Sequence, residues 1–301
     1  MSHASVTAPD GCGPQSVLAA PAGHEGPSGG TPRRAAPAGP ARASTPGAST
    51  HGEDASGSGL AEGRLLDRPP EANSLLRRLA EASAEEYDAL RRQLEPVASE
   101  REDLLFEPGA PIPAVYFPRT SVCSIVKIMA DGRRVEVGTT GFEGMVGLPV
   151  FLGAASTPFQ CFVQVPGLGW RLAADAFRRA AAPGTALHGV VQPYAQYMFD
   201  QAGHSVACNR LHAVDERCAR WLLMTHDRVH GAERFPLTQE FLAVMLGVRR
   251  ASVSVAAEAL QDAGLIRYRR GTITVVDRAG LEAASCECYF DDRADYRRLL
   301  G

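Results

Sequence analysis

The spacing of apolar residues changes character several times along the chain, and each change marks an element. Residues 1–59 hold no Phe, Ile, Trp or Tyr and are dominated by Ala, Gly, Pro, Ser and Thr. Such a segment buries too little apolar surface to offset its chain entropy, so a disordered tail is predicted over 1–70. From Ser74 onward Leu75, Leu76 and Leu79, then Tyr87, Leu90 and Leu94, recur at helical spacing. They predict two short helices, the second capped by Ser83 and broken by Pro96. Over 97–165 the pattern becomes short apolar runs between Pro and Gly: LLF, AVYF, VCSIVKIMA, RRVEVGTT and FQCFVQV. Asp131-Gly132 is a hairpin turn between two of them. Many short strands at regular spacing predict a β-roll or jelly-roll barrel. A further strand at Trp170-Arg171-Leu172 gives way to a helical stretch at 175–180, and Pro183 and Gly184 mark a boundary. Beyond it Leu187, Val190, Val191, Tyr194, Met198 and Gln201 predict a long helix that Pro193 starts or kinks. Residues 213–229 read as another amphipathic helix, with Val214, Cys218, Trp221, Leu222 and Thr225 facing inward.

The densest signal lies at 236–276, PLTQEFLAVMLGVRRASVSVAAEALQDAGLIRYRRGTITVV. Thr238 is placed to cap a helix beginning near Gln239, with Leu237 and Leu242 as a hydrophobic staple. Phe241, Leu242, Met245 and Leu246 give that helix its apolar face, and Gly247 supplies the left-handed residue that ends it. A second helix follows within about three residues, its inner stripe being Val253, Ala256, Ala257 and Leu260. Arg250, Ala251, Ser254, Val255 and Glu258 fall on its outer face. Gly264 closes it, and two short strands, 265–268 and 272–276, flank Arg269-Arg270-Gly271 as a hairpin. Helix, tight turn, helix and basic hairpin in that order describe a winged helix-turn-helix.

Charge agrees with shape. Gly247 to Gly271 contains five arginines (Arg249, Arg250, Arg267, Arg269, Arg270) against Glu258 and Asp262, in a chain of formal net charge −3. Positive charge gathered on a second helix and a wing suits a phosphate backbone.

The stretch from Leu211 to Tyr289 resembles the C-terminal domain of the Crp/Fnr superfamily of bacterial transcription regulators. In that superfamily the base-reading residues open the second helix, commonly as an Arg-Glu pair with another Arg four residues on. Carried over, these positions are Arg250, Ala251 and Val255, so only Arg250 keeps its type. It is the candidate for a bidentate contact to guanine O6 and N7, with Arg249 sharing the reading. The DNA-contacting set so expected is Thr238, Gln239, Arg249, Arg250, Ala251, Ser252, Ser254, Val255, Arg267, Arg269 and Arg270. The Ser252 and Ser254 hydroxyls are available there as donors to phosphates or bases.

More loosely, 71–184 resembles the cyclic-nucleotide-binding-like sensor of the same superfamily. Its anchors are Glu-Pro-Gly at 107–109 and Gly144-Met145-Val146-Gly147-Leu148. Where nucleotide-binding members carry a Glu for the ribose this chain has Met145, and Phe159 and Gln160 stand where an Arg would meet the cyclic phosphate. A buried anionic phosphate needs a paired cation, so cyclic AMP or GMP is not expected in the usual manner. The resemblance implies an α+β chain: a jelly-roll-like β-roll sensor at 71–184, a dimerisation helix at 185–210 and a winged helix-turn-helix at 211–301. A homodimer on a pseudo-palindromic operator follows, because paired recognition helices reach successive major grooves about 34 Å apart. The partners implied are double-stranded DNA, a second copy of the chain and, for an activator, RNA polymerase; the effector is left open.

Composition limits the alternatives. At 301 residues and 45% hydrophobic the chain can bury a sizeable core in about two domains. No apolar run reaches a membrane span and the N-terminus has no secretory pattern, so a cytoplasmic protein is expected. Lys127 is the only lysine beside thirty arginines, a skew read as codon bias and not as RNA binding. The seven cysteines, Cys12, Cys123, Cys161, Cys208, Cys218, Cys286 and Cys288, are odd in number and scattered, which argues against a disulfide framework. Cys286-Glu287-Cys288 lacks a second pair at zinc-ligand spacing, so neither metal nor cofactor is expected. All eight histidines lie outside 97–180, so the barrel has no imidazole for a cupin-like metal site. Asp131, Glu136 and Glu143 read as turn and surface residues, and no enzyme is expected. A protein-interaction module without DNA binding is the alternative.

Overall fold

The computed structural model describes residues 69–229 and 234–301; of the tail predicted over 1–70, residues 1–68 lie outside them and Pro70 opens an ordered turn. A 3₁₀ turn, Pro70–Ala72, leads into α1 (Ser74–Ala82) and α2 (Ala84–Arg91). Ser83 caps α2 as expected, its side chain accepting from the Glu86 amide. Asn73 caps α1, and its Nδ2 also donates to the Pro118 and Gly144 carbonyls, which fixes the helix on the barrel.

The barrel is two antiparallel sheets. One is β1 (Glu95–Ser99), β7 (Gly167–Ala173) and β3 (Ala114–Pro118), in the order β1-β7-β3. The other is β2 (Leu104–Phe106), β6 (Gln160–Val165), β4 (Val122–Ile128) and β5 (Arg134–Thr140), in the order β2-β6-β4-β5. Asp131-Gly132 makes the β4–β5 turn, Gly132 at φ +83°. Pro96 is a correction: helix α2 ends earlier, at Arg91, and Pro96 sits inside β1. Because β1 is an edge strand, a residue without N–H is tolerated there.

After α3 (Leu148–Phe151) and α4 (Ala174–Ala180), α5 (Ala186–Leu211) runs for 26 residues with Pro193 inside it. It starts at Ala186 and not at the proline, since Thr185 caps it by accepting from the His188 amide. The apolar stripe read from the sequence faces this chain's own barrel. Leu187, Val190, Val191 and Tyr194 join the core formed with Val115, Phe117, Met145 and Leu172. Gln201, also buried, accepts from the Thr139 amide.

Helix α6 (Val214–Arg228) is less amphipathic than predicted: every residue from Arg217 to His226 is buried. It lies between barrel and winged motif, so both of its faces are covered. Val126 and Phe162 on the outside of the barrel share one apolar cluster with Cys218, Trp221 and Leu222 of α6 and with Leu242 and Met245 beyond it. That burial on two sides explains why β4 reads as a near-continuous apolar run and not as alternation. No described helix is long and apolar enough to cross a membrane.

Candidate nucleic-acid interface

The segment after α6 forms as the sequence predicts, with one strand added. β8 (Arg234–Pro236) joins β9 (Ile266–Arg269) and β10 (Thr272–Val275) in the order β8-β10-β9. Helix α7 (Gln239–Leu246) is capped by Thr238, whose Oγ1 accepts from the Phe241 amide at 3.1 Å. Gly247 at φ +64° turns the chain, and α8 (Arg250–Asp262) begins after Arg249. Val253, Ala256, Ala257 and Leu260 are its buried face, the stripe read from the sequence.

The outer face of α8 is open. Arg249, Arg250, Ala251 and Val255 are exposed, Val255 at 68%, an exposure that leaves this apolar side chain available to a partner surface. Ser254 is committed internally: its Oγ lies 2.8 Å from Gln239 Oε1 and 3.1 Å from the Arg250 carbonyl. Thr238 and Gln239 are likewise engaged, the first as the cap and the second also through its backbone N–H, which donates to the Tyr268 hydroxyl. The Ser254–Gln239 bond ties α8 to α7 and the Tyr268 hydroxyl ties the wing to the start of α7, whereas the arginines are the groups turned outward.

On the wing Arg267 and Arg269 lie on one exposed face of β9. Arg269 pairs directly with Thr272, so Arg270-Gly271 is a two-residue turn, with φ of +50° and +74°. A tight hairpin of this hand needs positive φ at both positions, and a non-glycine residue there costs on the order of 1 kcal/mol. An arginine is therefore held at the wing tip against backbone preference.

The sequence reading missed two further arginines. A cleft of about 1270 Å³ separates the start of α8 from the β4–β5 hairpin and is lined by Arg133 and Arg134 from the hairpin, Arg217, Arg249 and Arg250, with Glu240 as its acid. Arg217, buried on α6, donates through Nη2 to Asn209 Oδ1 and to the Leu246 carbonyl, closing the C-terminus of α7. Only the turn Asp131-Gly132 could have flagged Arg133 and Arg134, since the cleft exists only once barrel and α8 are packed.

Two acids read as surface residues are structural instead. Glu143 is 6% exposed, and its carboxylate accepts from Arg228 Nε at 2.7 Å and from the Gly141 amide. Burial alone would lower the Arg228 pKa, but Glu143 and the neighbouring Tyr197 and Asp292 raise it. Glu136 Oε1 accepts from Trp221 Nε1 at 2.9 Å, and Oε2 lies 2.6 Å from Ser124 Oγ. Burial pushes the Glu136 carboxyl up to about 7, against the pull of those two hydrogen bonds and of Arg228 and Arg220. Both acids sit where barrel meets α6.

Residues 216–284 match the family model of the Crp-like helix-turn-helix domain. The chain carries a Crp-like helix-turn-helix domain. That domain spans α6 through α9 (Arg278–Ala283), so it includes the helix that seals the barrel as well as α7, α8 and the wing. Beyond it, α10 (Cys288–Leu300) leaves the Crp-like domain and packs along α5, with Leu300 in the barrel core and Tyr197 donating to Asp292 at 3.0 Å.

Solved structures share the fold. FixK2 from Bradyrhizobium japonicum is similar at a TM-score of 0.56 and 17% identity, over 64% of this chain and 98% of that one. The c-di-GMP-responsive global regulator CLP of Xanthomonas campestris is similar at 0.52 and 14%, over 64% and 99%. TTHB099, a CRP-family transcriptional regulator from Thermus thermophilus, gives 0.52 and 20%, over 64% and 96%. A comparison with curated protein sequences gives no match. These structures share the arrangement seen here, a β-roll, a long helix and a winged helix-turn-helix, the last matching the Crp-like model.

Proposed function

We propose that this chain is a dimeric, sequence-specific DNA-binding transcription regulator of the Crp/Fnr type, and not an enzyme. The supporting observation is the exposed pair Arg249 and Arg250 at the first turn of the second helix of a Crp-like domain, flanked by Arg267, Arg269 and Arg270 on its wing. In this reading α8 enters the major groove, Arg250 addresses a guanine, and the wing arginines follow the flanking phosphates. On the sensor side of the cleft Arg134 adds a cation, while Arg133 is paired with Asp131 at 2.7 Å. Residues 71–184 act as the sensor, 185–210 carry the dimer contact and the DNA-binding part begins near 211. The protein works in the cytoplasm, and RNA polymerase is its partner if it activates. The signal is not a cyclic nucleotide held in the usual way, because Met145 is 1% exposed in the apolar core where a ribose-binding acid would be needed.

Arg250→Ala is expected to weaken a cognate site by about 1–3 kcal/mol and to relax its specificity, whereas Arg269→Ala weakens all DNA alike and reduces the salt slope. Binding isotherms on fragments recovered by genome-wide mapping, taken at several salt concentrations, separate the two. Equal, sequence-independent losses would remove Arg250 from the reading role, and no retarded species at low salt would favour the interaction module.

The dimer reading is supported by the face of α5 opposite the barrel. Phe199 at 76%, Val206 at 72% and Leu211 at 75% exposure are large apolar residues turned to solvent, with Gly203 between the first two at seam spacing. Knobs at Phe199 and Val206 beside a glycine suit a parallel pair of helices. Phe199→Arg is expected to sediment as a monomer and to lose cooperative binding to a palindromic site. A variant that remains a dimer would place the contact elsewhere.

A further inference from the structure

Four donor side chains that are far apart in sequence meet at the α5–α6 junction. Cys208 lies in the last turn of α5, His212 is its C-cap, and Cys286 and Cys288 stand at the start of α10. Their three sulfurs and a ring nitrogen all lie within 4.8 Å of one another. The thiols are buried and form a small cluster of their own. Cys208 Sγ is 3.6 Å from Cys286 Sγ, and Cys288 Sγ is 3.6 Å from His212 Nδ1. A tetrahedral zinc ion with Zn–S of about 2.3 Å and Zn–N of about 2.0 Å has edges of about 3.8 Å between sulfurs and about 3.5 Å from sulfur to nitrogen. The two observed separations match those edges.

Two neighbouring features point to a ligand independently. His212 Nε2 is 3.1 Å from the Glu287 carboxylate, which puts the ring proton on Nε2 and leaves the Nδ1 lone pair toward the sulfurs. A carboxylate on the far nitrogen is the usual outer partner of a metal-binding imidazole. Arg220 is 8% exposed, and its Nε and Nη2 are buried without an acceptor among the described residues. It is close enough to Cys208, Cys286 and Cys288 to act on all three electrostatically. Three thiolates around one divalent cation carry a net charge of −1, which a buried guanidinium offsets.

We propose that Cys208, His212, Cys286 and Cys288 bind one zinc ion per chain. Soft thiolates with one imidazole in tetrahedral array select zinc among the common divalent cations, and donors this close enclose one ion and not a cluster of several irons. Binding releases the thiol protons to solvent as the sulfurs ligate. The ion ties the end of α5 to α10, directly beside Ala213, where α6 and the Crp-like domain begin. Metal loading therefore stiffens the connection between the long helix and the DNA-binding part.

The test reads metal content and is independent of DNA binding. Full-length protein purified under reducing conditions and dialysed against zinc should retain about one zinc per chain by elemental mass spectrometry. Replacement by cobalt should give thiolate charge-transfer bands and the intense visible bands of a tetrahedral site. Cys286→Ser and Cys288→Ser should each lose the ion, with folding checked by circular dichroism, and Cys12→Ser should keep it. His212→Cys should keep the ion while shifting the cobalt bands, a readout that holds even if the serine variants misfold. Reduced, folded protein that takes up neither metal overturns the proposal, as does retention of the ion by both serine variants.

Discussion

Arg228→Met is expected to lower the unfolding free energy by about 3–5 kcal/mol at pH 7, because it strands a carboxylate in the interior. Arg228 donates through Nε to Glu143, through Nη1 to the Met224 carbonyl at 2.9 Å and through Nη2 to the Tyr197 hydroxyl at 3.3 Å. Tyr197 in turn donates to Asp292 and receives Gln201 Nε2 at 3.1 Å. One guanidinium therefore joins the loop after β5, α5, α6 and α10. Burial raises the Asp292 carboxyl, so removing the cation exposes two acids to an uncompensated interior. The pair itself is not the source of the expected loss. Replacing both partners, Glu143→Gln with Arg228→Met, should recover most of the stability, since the desolvation of both charges disappears together. Urea midpoints for the single and double variants measure this. A single-variant loss below about 1 kcal/mol, in the range of exposed pairs, would show that the site is wetter than its burial indicates.

The same residues show what a sequence can and cannot disclose. The helix-turn-helix was legible because each of its causes is local: Thr238 as cap, Gly247 as left-handed stop, and a small-residue stripe on α8. The strands of the barrel were legible for similar reasons, through Pro and Gly punctuation and the Asp131-Gly132 turn. Glu136 and Glu143 were misread because the groups that bury them, Trp221 and Arg228, are 85 residues away in each case. The stripe on α5 was found but its direction was not, since periodicity gives a face without saying what covers it. Beside Cys286-Glu287-Cys288 the missing second pair of donors was present all along as Cys208 and His212. Four residues apart, they share a face of the helix end, but only the packing of α10 on α5 brings them to the other two.

Glu136→Gln is expected to remove a pH dependence of stability between about 4.5 and about 7, the ordinary and the raised values of this carboxyl. The folded chain holds this proton over that window and the unfolded chain does not, so folded protein binds more protons there. Stability contributed by the group is then fully present below about 4.5 and is lost as pH rises toward and past about 7. A shift of this size corresponds to roughly 3 kcal/mol. The hydrogen-bond inventory agrees with a protonated acid. Ser124 Oγ lies 2.6 Å from Glu136 Oε2 and 2.7 Å from Gln164 Oε1, whose Nε2 donates to Thr225 Oγ1, and Ser124 has a single proton for two acceptors. A Glu136 carboxylic acid donates to Ser124, and Ser124 is then free to donate to Gln164. Glutamine reproduces that pattern at every pH: its amide donates to Ser124 while its oxygen accepts from Trp221. Wild-type protein should lose stability from pH 5 to pH 8.5 by roughly that amount more than the variant, which would be the more stable of the two at the alkaline end. Parallel stability curves for the two proteins would sink the assignment. Because Trp221 belongs to α6 and Glu136 to β5, the stability lost on deprotonation comes from the contact between barrel and Crp-like domain, and rising pH should loosen that contact before it unfolds either part.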